Sequence, residues 1–263
     1  MSHHIDGFIT ERHHFQGISR EVFCRGEGPA VVVLSEIPGI TPEVAGFALK
    51  VADAGFRVYM PQLFGEPMKP LSPPYVAQSL AKICISREFR VLSGNASSPV
   101  VDWLRAIARH AHEQCGGPGV GVVGMCLTGN FGLAMMLNAP VIAPVLSQPS
   151  LPMGLSRTKR AGLHASAEEI AAAHDKIDHH GARILGLRFK QDFLCRAERF
   201  ERLRDEFGPA FECREIDACH ANPRAGTPAH SVLTTHLIDE VGEPTRAALD
   251  RTLAFLAEQL RPR

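Results

Sequence analysis

One cysteine of this chain lies where an apolar run gives way to a pattern typical of a helix. Cys126 stands between two glycines in the stretch Gly121–Gly132, GVVGMCLTGNFG. A nucleophile at a strand-to-helix turn requires small neighbours, because the turn leaves no room beside it. A free thiol has a pKa of about 8.5, and a helix N-terminus stabilises an anion by only about 0.3–1 kcal/mol. A nucleophilic Cys126 would therefore need a base and a group that orients the base.

The residues around Cys126 match a nucleophile turn only in part. Gly124 lies two positions before it, as in the pattern G-x-S-x-G, but Thr128 occupies the position of the second glycine and Gly129 follows one residue later. A buried structural thiol is the alternative, since cysteine is among the most buried residue types. The local sequence leaves both interpretations open.

Short apolar runs alternate with amphipathic stretches along the chain. We expect strands at 21–25, 30–35, 56–60, 120–123, 141–146, 182–189 and 211–216, and helices at 42–54, 75–89, 100–112, 127–137, 167–180, 197–206 and 243–260. This alternation predicts an α/β fold with a mostly parallel central sheet and helices on both faces. We expect one domain over residues 1–263, with a Pro-rich lid or loop region at about 61–99, where six prolines lie.

An acid and a base are available in the second half of the chain. Reactive groups in a parallel α/β sheet gather beyond the carboxyl ends of the strands, in the order nucleophile, acid, histidine. Asp192 follows the strand predicted at 182–189, and its alternative role is to cap the next helix. Three histidines, His220, His230 and His236, lie between the last strand and the closing helix. Position alone does not select one of them.

Four segments together resemble the dienelactone hydrolases, which are α/β-hydrolases with a Cys-His-Asp triad. GMCLTG at Cys126 is similar to the family's nucleophile turn, FKQDF at Asp192 to its acid segment, AHSVL at His230 to its histidine-serine motif, and SEIPG at Glu36 to its early glutamate segment. The resemblance extends from about Ala30 to the C-terminus. It implies the α/β-hydrolase fold and a carboxylic ester hydrolase that cleaves a small ester or lactone.

The resemblance also implies a role for each matching residue. Cys126 would be the nucleophile, His230 the base, with His236 as second choice, and Asp192 the residue that orients the base. Glu36 would lie beside the thiol and keep it protonated at rest, because a neighbouring carboxylate disfavours a thiolate.

Two backbone groups and one arginine complete the implied site. The backbone N–H groups of Ile37 and Leu127 would bind the oxyanion. The family binds a substrate carboxylate with arginines, one of them shortly after the histidine, but Ser231–Thr235 contains none. Arg87 is the remaining candidate for an anion contact.

Two other functions remain open at this stage. One is a catalytically silent protein of the same fold that binds a small ligand or a partner, which the departures at Thr128 and Ser231–Thr235 favour. The other is redox sensing by Cys126, with Cys195 or Cys219 as the resolving thiol.

Composition argues against several classes of partner. Lys+Arg and Asp+Glu are both 28, so we expect neither nucleic acid nor a membrane as partner. There is no apolar run of membrane-spanning length and no secretory signal, and the seven scattered cysteines contain no C-x-x-C pair. We therefore expect a reduced, cytoplasmic protein.

No cofactor motif is present, and we expect no metal, because the histidine pairs 3–4, 13–14 and 179–180 are adjacent residues that project in different directions.

Overall fold

The computed structural model describes residues 3–15 and 17–261. Within these residues, eight strands form one sheet in the order β1-β2-β4-β3-β5-β6-β7-β8. The strands are β1 Ile9–Phe15, β2 Ile18–Arg25, β3 Ala30–Leu34, β4 Arg57–Pro61, β5 Val120–Met125, β6 Val141–Ser147, β7 Ile184–Phe189 and β8 Phe211–Ile216. β2 is antiparallel to β1 and β4, and the other neighbouring strands are parallel.

Helices connect the parallel strands. They are α1 Pro42–Asp53, α2 Pro73–Ile85, α3 Val100–Cys115, α4 Phe131–Ala134, α5 Arg157–Ala161, α6 Ala167–His180, α7 Ala197–Phe207 and α8 Pro244–Leu260. Capping hydrogen bonds explain where two of these helices begin. The Thr41 hydroxyl accepts a hydrogen bond from the N–H of Val44 at the start of α1, and Ser166 and Glu169 form a capping box on α6. The predicted α/β fold is confirmed.

The parallel strands form the core of the molecule. Every residue of β3, β5, β6 and β7 is buried, as expected for strands covered on both faces. α8 packs against β5 to β8 and approaches them closely at Gly121, where a Cβ would lie 2.7 Å from Leu256 Cδ2. The carboxyl ends of β3, β5, β6 and β7 meet at one edge of the sheet, where ligands bind in such folds.

Several elements differ from the prediction. α5 was not expected, and α2 covers Pro73–Ile85, whereas 75–89 was expected. β1, with the sequence ITERHHF, was not expected, because its apolar positions do not alternate regularly and most of its residues are half-buried or exposed. The helix expected at 127–137 is replaced by a 3₁₀ turn at Cys126–Thr128 and the short α4. Gly129 and Gly132 lower helix propensity in this stretch. The Thr128 hydroxyl also bonds to backbone groups outside a helix, which competes with helical hydrogen bonding.

The Pro-rich region at 61–99 contains α2 between two irregular stretches. Phe89 and Val91 are buried in the core, and the Phe89 ring stacks on Phe131 with centroids 6.4 Å apart. Its function as a lid stays a prediction. Among residues 3–15 and 17–261, no helix combines the length and apolar character needed to cross a membrane.

Candidate active site

Cys126 occupies a strained turn directly after β5. Its φ angle is +53°, in the left-handed region that non-glycine residues seldom adopt, and only 6% of its surface is exposed. Gly124 must be glycine here, because a Cβ would lie 2.3 Å from the carbonyl oxygen of Thr128. Such strain is common where a reactive side chain is held in a defined direction.

Thr128 links this turn to the end of β3. Its buried hydroxyl accepts a hydrogen bond from the N–H of Met125 (3.0 Å) and lies 3.0 Å from the carbonyl oxygen of Met125 and 3.3 Å from those of Leu34 and Ser35. A hydroxyl carries a single proton, so it donates to one carbonyl at a time. The threonine therefore fits the turn at the position where the usual pattern has glycine.

Asp192 and His230 are joined by a short hydrogen bond. His230 Nδ1 lies 2.6 Å from Asp192 Oδ2, and because a carboxylate only accepts, Nδ1 carries the proton. The other carboxylate oxygen, Oδ1, accepts from the N–H groups of Leu194 (2.9 Å) and Cys195 (3.2 Å). These three hydrogen bonds fix the orientation of a carboxylate that is fully buried.

The remaining ring nitrogen of His230 is directed to Cys126. Nε2 is buried and makes no hydrogen bond within the described part of the chain. Burial disfavours the imidazolium, but the electrostatic interaction with Cys126 and the hydrogen bond with Asp192 outweigh it. The pKa of His230 is consequently held well above its usual value. The structure thus brings Cys126, His230 and Asp192 together.

The other two histidines occupy different environments. The ring nitrogens of His236 are both engaged, Nδ1 with the N–H of Ser231 (3.1 Å) and Nε2 with the carbonyl oxygen of Thr227 (3.2 Å). Burial lowers the pKa of His236, which favours its neutral form. His220 is exposed in a 3₁₀ turn after β8. His236 thus organises the loop that carries His230.

Glu36 follows β3 and is buried among neutral donors. Its carboxylate accepts from the hydroxyls of Ser231 (2.6 Å) and Thr234 and from Gln148 Nε2 (3.3 Å). No hydrogen bond joins it to Cys126, although both residues lie in the described part of the chain. The stretch that lacks an arginine therefore supplies two hydroxyls to this glutamate.

The remaining predicted positions lie in two places. Ile37 follows Glu36 after β3, and Leu127 is the residue after Cys126, so both backbone N–H groups belong to loops at the carboxyl edge of the sheet. Arg87 is exposed on the loop after α2 and forms no ion pair within the described residues, so the structure does not bring it to Cys126.

Sequence analysis missed four polar residues around the site. Ser150 lies after β6, with its hydroxyl 3.6 Å from Cys126 Sγ, and its N–H donates to the carbonyl oxygen of Cys126 (2.9 Å). Gln148, at the end of β6, contacts Glu36 and the N–H of Val232. Ser231 and Thr234 are the other two. Only Ser231 had a signal in the sequence, its position next to His230.

The two candidate resolving thiols differ in accessibility. Cys195 is fully buried, and burial raises its pKa far above the usual value, which disfavours the thiolate that disulfide exchange requires. Cys219 is exposed in the 3₁₀ turn that also holds His220.

The arrangement of strands and helices is that of an α/β-hydrolase, with a strained turn after the central β5 and with Asp192 and His230 on later loops. A family model described as the dienelactone hydrolase family matches residues 20–216, which is well over half of the chain. The chain belongs to the dienelactone hydrolase family and is a hydrolase that acts on esters or lactones.

Solved structures with the same fold include several members of this group. A proposed dienelactone hydrolase from Klebsiella pneumoniae is 17% identical with a TM-score of 0.63, covering 96% of this chain and 100% of that one. A dienelactone hydrolase-like promiscuous phosphotriesterase from metagenomic libraries is 16% identical with a TM-score of 0.59, covering 97% and 98%. The dienelactone hydrolase of Anabaena variabilis is 13% identical with a TM-score of 0.56, covering 97% and 98%. No curated protein matches the chain significantly.

Proposed function

We propose that Cys126, His230 and Asp192 form a catalytic triad that hydrolyses a small ester or lactone. The observation that carries this proposal is the state of the His230 ring. Nδ1 is held by Asp192 at 2.6 Å, while Nε2 is buried, accepts no hydrogen bond from the residues that the structure describes, and lies close to the thiol. This is the geometry that a general base needs to accept a thiol proton.

The reaction proceeds through a thioester. Nε2 of His230 takes the thiol proton, and the sulfur of Cys126 attacks the carbonyl carbon, forming a C–S bond and an oxyanion. The oxyanion collapses, the C–O bond to the leaving group breaks, and the imidazolium gives its proton to the departing alkoxide. A water molecule, deprotonated by His230, then attacks the thioester and releases the acid and the free thiol.

The backbone N–H groups of Ile37 and Leu127 bind the oxyanion in this proposal. Ile37 lies in the loop after β3 and Leu127 in the turn after β5, and these are neighbouring parallel strands. The Thr128 hydroxyl links the two loops, so it holds one donor relative to the other. Loss of such a donor typically costs about 10²–10³ in turnover.

Glu36 acts in this proposal through the loop that carries the base. Its hydrogen bonds with Ser231 and Thr234 connect the end of β3 to the residues that follow His230. The role implied by the resemblance, protection of the resting thiol, acts through the charge of Glu36 and stays a prediction. The contacts of Glu36 support a positioning role in addition.

The same contacts favour a neutral substrate. A carboxylate on the substrate would approach a region where Glu36 is buried and where the sequence after His230 offers hydroxyls instead of an arginine. Like charges in a poorly solvated region repel each other. We therefore propose a small uncharged ester or lactone as the substrate class.

The direct test measures hydrolysis of a short-chain aryl ester and of a carboxylate-bearing dienelactone. Wild type, Cys126→Ala and, as control, Cys219→Ala are compared, since Cys219 is an exposed thiol elsewhere in the fold. We expect wild type and Cys219→Ala to hydrolyse the aryl ester faster than the dienelactone, and Cys126→Ala to be inactive on both.

Two results would contradict the proposal. Activity that persists in folded Cys126→Ala would exclude the cysteine as nucleophile. A folded wild type that binds but does not hydrolyse either substrate would support the silent ligand-binding alternative.

A further inference from the structure

Three side chains with metal-binding atoms meet at the antiparallel margin of the sheet. Glu11 and His13 project from one face of β1, and His110 projects from α3. His13 Nε2 lies 2.9 Å from Glu11 Oε2, and the two imidazole rings have centroids 4.7 Å apart. One ligand atom from each of the three residues lies within 4.8 Å of the others.

We propose that Glu11, His13 and His110 bind a divalent transition metal ion of the Zn²⁺ type. Two imidazoles and one carboxylate are a donor set that suits this ion, with a water molecule in the fourth position. Bonds of about 2.0–2.1 Å in a tetrahedron place donor atoms about 3.3 Å apart. The donors already lie within 4.8 Å of one another, so small side-chain rotations bring them to this separation.

The surroundings of the three residues suit a bound cation whose fourth coordination position is open to water. They line a pocket of about 680 Å³ together with Glu27 and Tyr59. All three side chains are half-buried, so the ion is partly shielded and still reachable.

Two guanidiniums, those of Arg12 and Arg57, line the same pocket, and the one of Arg57 contacts the cluster and limits its affinity. Arg57 Nη2 is 3.3 Å from Glu11 Oε1, which leaves Oε2, the oxygen next to His13, for the metal. The guanidinium repels a second positive charge at this distance, because both lie in a partly desolvated pocket. Replacing Arg57 with glutamine should therefore tighten metal binding, an effect that a site elsewhere in the chain would not show.

The experiment titrates untagged, metal-free protein with Zn²⁺ by calorimetry and follows thermal unfolding with and without the ion. We expect one saturable site in wild type and a higher Tm with Zn²⁺, since a ligand that binds only the folded state stabilises it. His13→Ala, His110→Ala and Glu11→Gln should each weaken binding at least 10-fold. The matched control is His14→Ala, because the next residue of β1 is exposed and projects from the opposite face.

Three outcomes would overturn the proposal. Wild type could show no saturable binding, or His14→Ala could weaken binding as much as His13→Ala, which would indicate general binding by surface histidines. Loss of binding in Cys126→Ala would place the ion at the active site instead. Glu11→Gln changes few atoms, so it keeps the test decisive if an alanine variant fails to fold.

Discussion

Among residues 3–15 and 17–261, hydrogen bonding holds the His230 ring through one of its two nitrogens. Asp192 fixes Nδ1, and Nε2 is left for the thiol, whereas both nitrogens of His236 bond within the loop. Residue position alone could not separate these two histidines, because both lie between β8 and α8. The resemblance favoured His230 through its neighbour Ser231, and the contact with Asp192 gives that choice a physical basis.

We predict that replacing His230 affects chemistry and that replacing His236 affects the loop. His230→Ala removes the base, which should lower kcat by about 10²–10⁴ while the fold is retained. His236→Ala should lower Tm, because it leaves the N–H of Ser231 and the carbonyl oxygen of Thr227 without their partner. Steady-state kinetics on the aryl ester and circular dichroism measure both effects. A larger kcat loss in His236→Ala than in His230→Ala would reverse the assignment.

A second prediction concerns Glu36, whose charge is removed by Glu36→Gln. A positioning role through Ser231 and Thr234 predicts a lower kcat, with a pH profile of iodoacetamide alkylation of Cys126 close to that of wild type. A role beside the thiol predicts the opposite, because the loss of a neighbouring negative charge favours the thiolate and speeds alkylation at lower pH. Cys84→Ala and Cys219→Ala together serve as the background in both proteins, so that neither of these exposed thiols contributes. A shifted alkylation profile would restore the protective role.

At the scale of elements, the turn after β5 depends on a hydroxyl. We predict that Thr128→Val, which keeps the shape and removes the hydroxyl, lowers the free energy of unfolding by about 1–3 kcal/mol, since the buried N–H of Met125 loses its partner. Turnover should fall as well, because the turn and the end of β3 are no longer joined. Thr128→Ser is the matched control and should retain most of both properties. Equal turnover in Thr128→Val and wild type would exclude a role for this link in catalysis.

The sequence predicted most elements, for identifiable reasons. The bounds of α6 and β8 coincide with the predicted ones, because α6 has a capping box and an end at Gly181, and β8 is flanked by turns. The helix expected after Cys126 was too long, because its hydrophobic spacing does not reveal that Thr128 bonds outside the helix. The partners of Glu36 were not predictable either. Gln148, Ser231 and Thr234 are distant in the sequence from Glu36, and only the meeting of strand ends brings them together.

The sequence around the histidines of β1 did not indicate a metal site for the same reason, because the residues of the cluster are distant in the sequence. His13 was considered with its neighbour His14, and adjacent residues of a strand point to opposite faces. The residue that approaches it, His110, belongs to α3 and is joined to β1 only by the fold. A pattern search within one segment cannot find such a cluster.

At the scale of the whole molecule, an ion pair between a buried arginine and a half-buried glutamate couples stability to pH. Arg188 in β7 donates from Nε to Glu215 Oε1 in β8 at 2.8 Å, and its side chain is only 4% exposed. Burial raises the pKa of Glu215, but its hydrogen bonds and charge interactions with Arg188 and Arg204 outweigh this, so the pKa is lowered. The stabilisation is present above the unfolded pKa of about 4.3 and is lost as the pH falls through the lower, folded value.

We predict that Glu215→Gln lowers the free energy of unfolding by about 1–3 kcal/mol at neutral pH, because a buried guanidinium loses its partner. The difference from wild type should begin to shrink as the pH falls below the unfolded pKa of about 4.3, and it should vanish below the lower, folded pKa, where the wild-type glutamate is protonated in both states. Urea unfolding at several pH values measures it, with the exposed Glu201→Gln as control. A difference that does not depend on pH would show that the charge of Glu215 is not what stabilises the fold.

The sheet ends on both sides in strands rich in charged and polar residues. β1 carries Glu11, Arg12 and two histidines, and β8 carries Glu212, Arg214 and Glu215. An outer strand offers unpaired backbone groups to any other extended chain, and charged side chains discourage that pairing. We therefore expect neither outer strand to recruit a strand from a second copy during folding or at high concentration. Resistance to edge-to-edge aggregation thus follows from the same two strands that contribute Glu11 and His13 to the proposed metal site and Glu215 to the ion pair with Arg188.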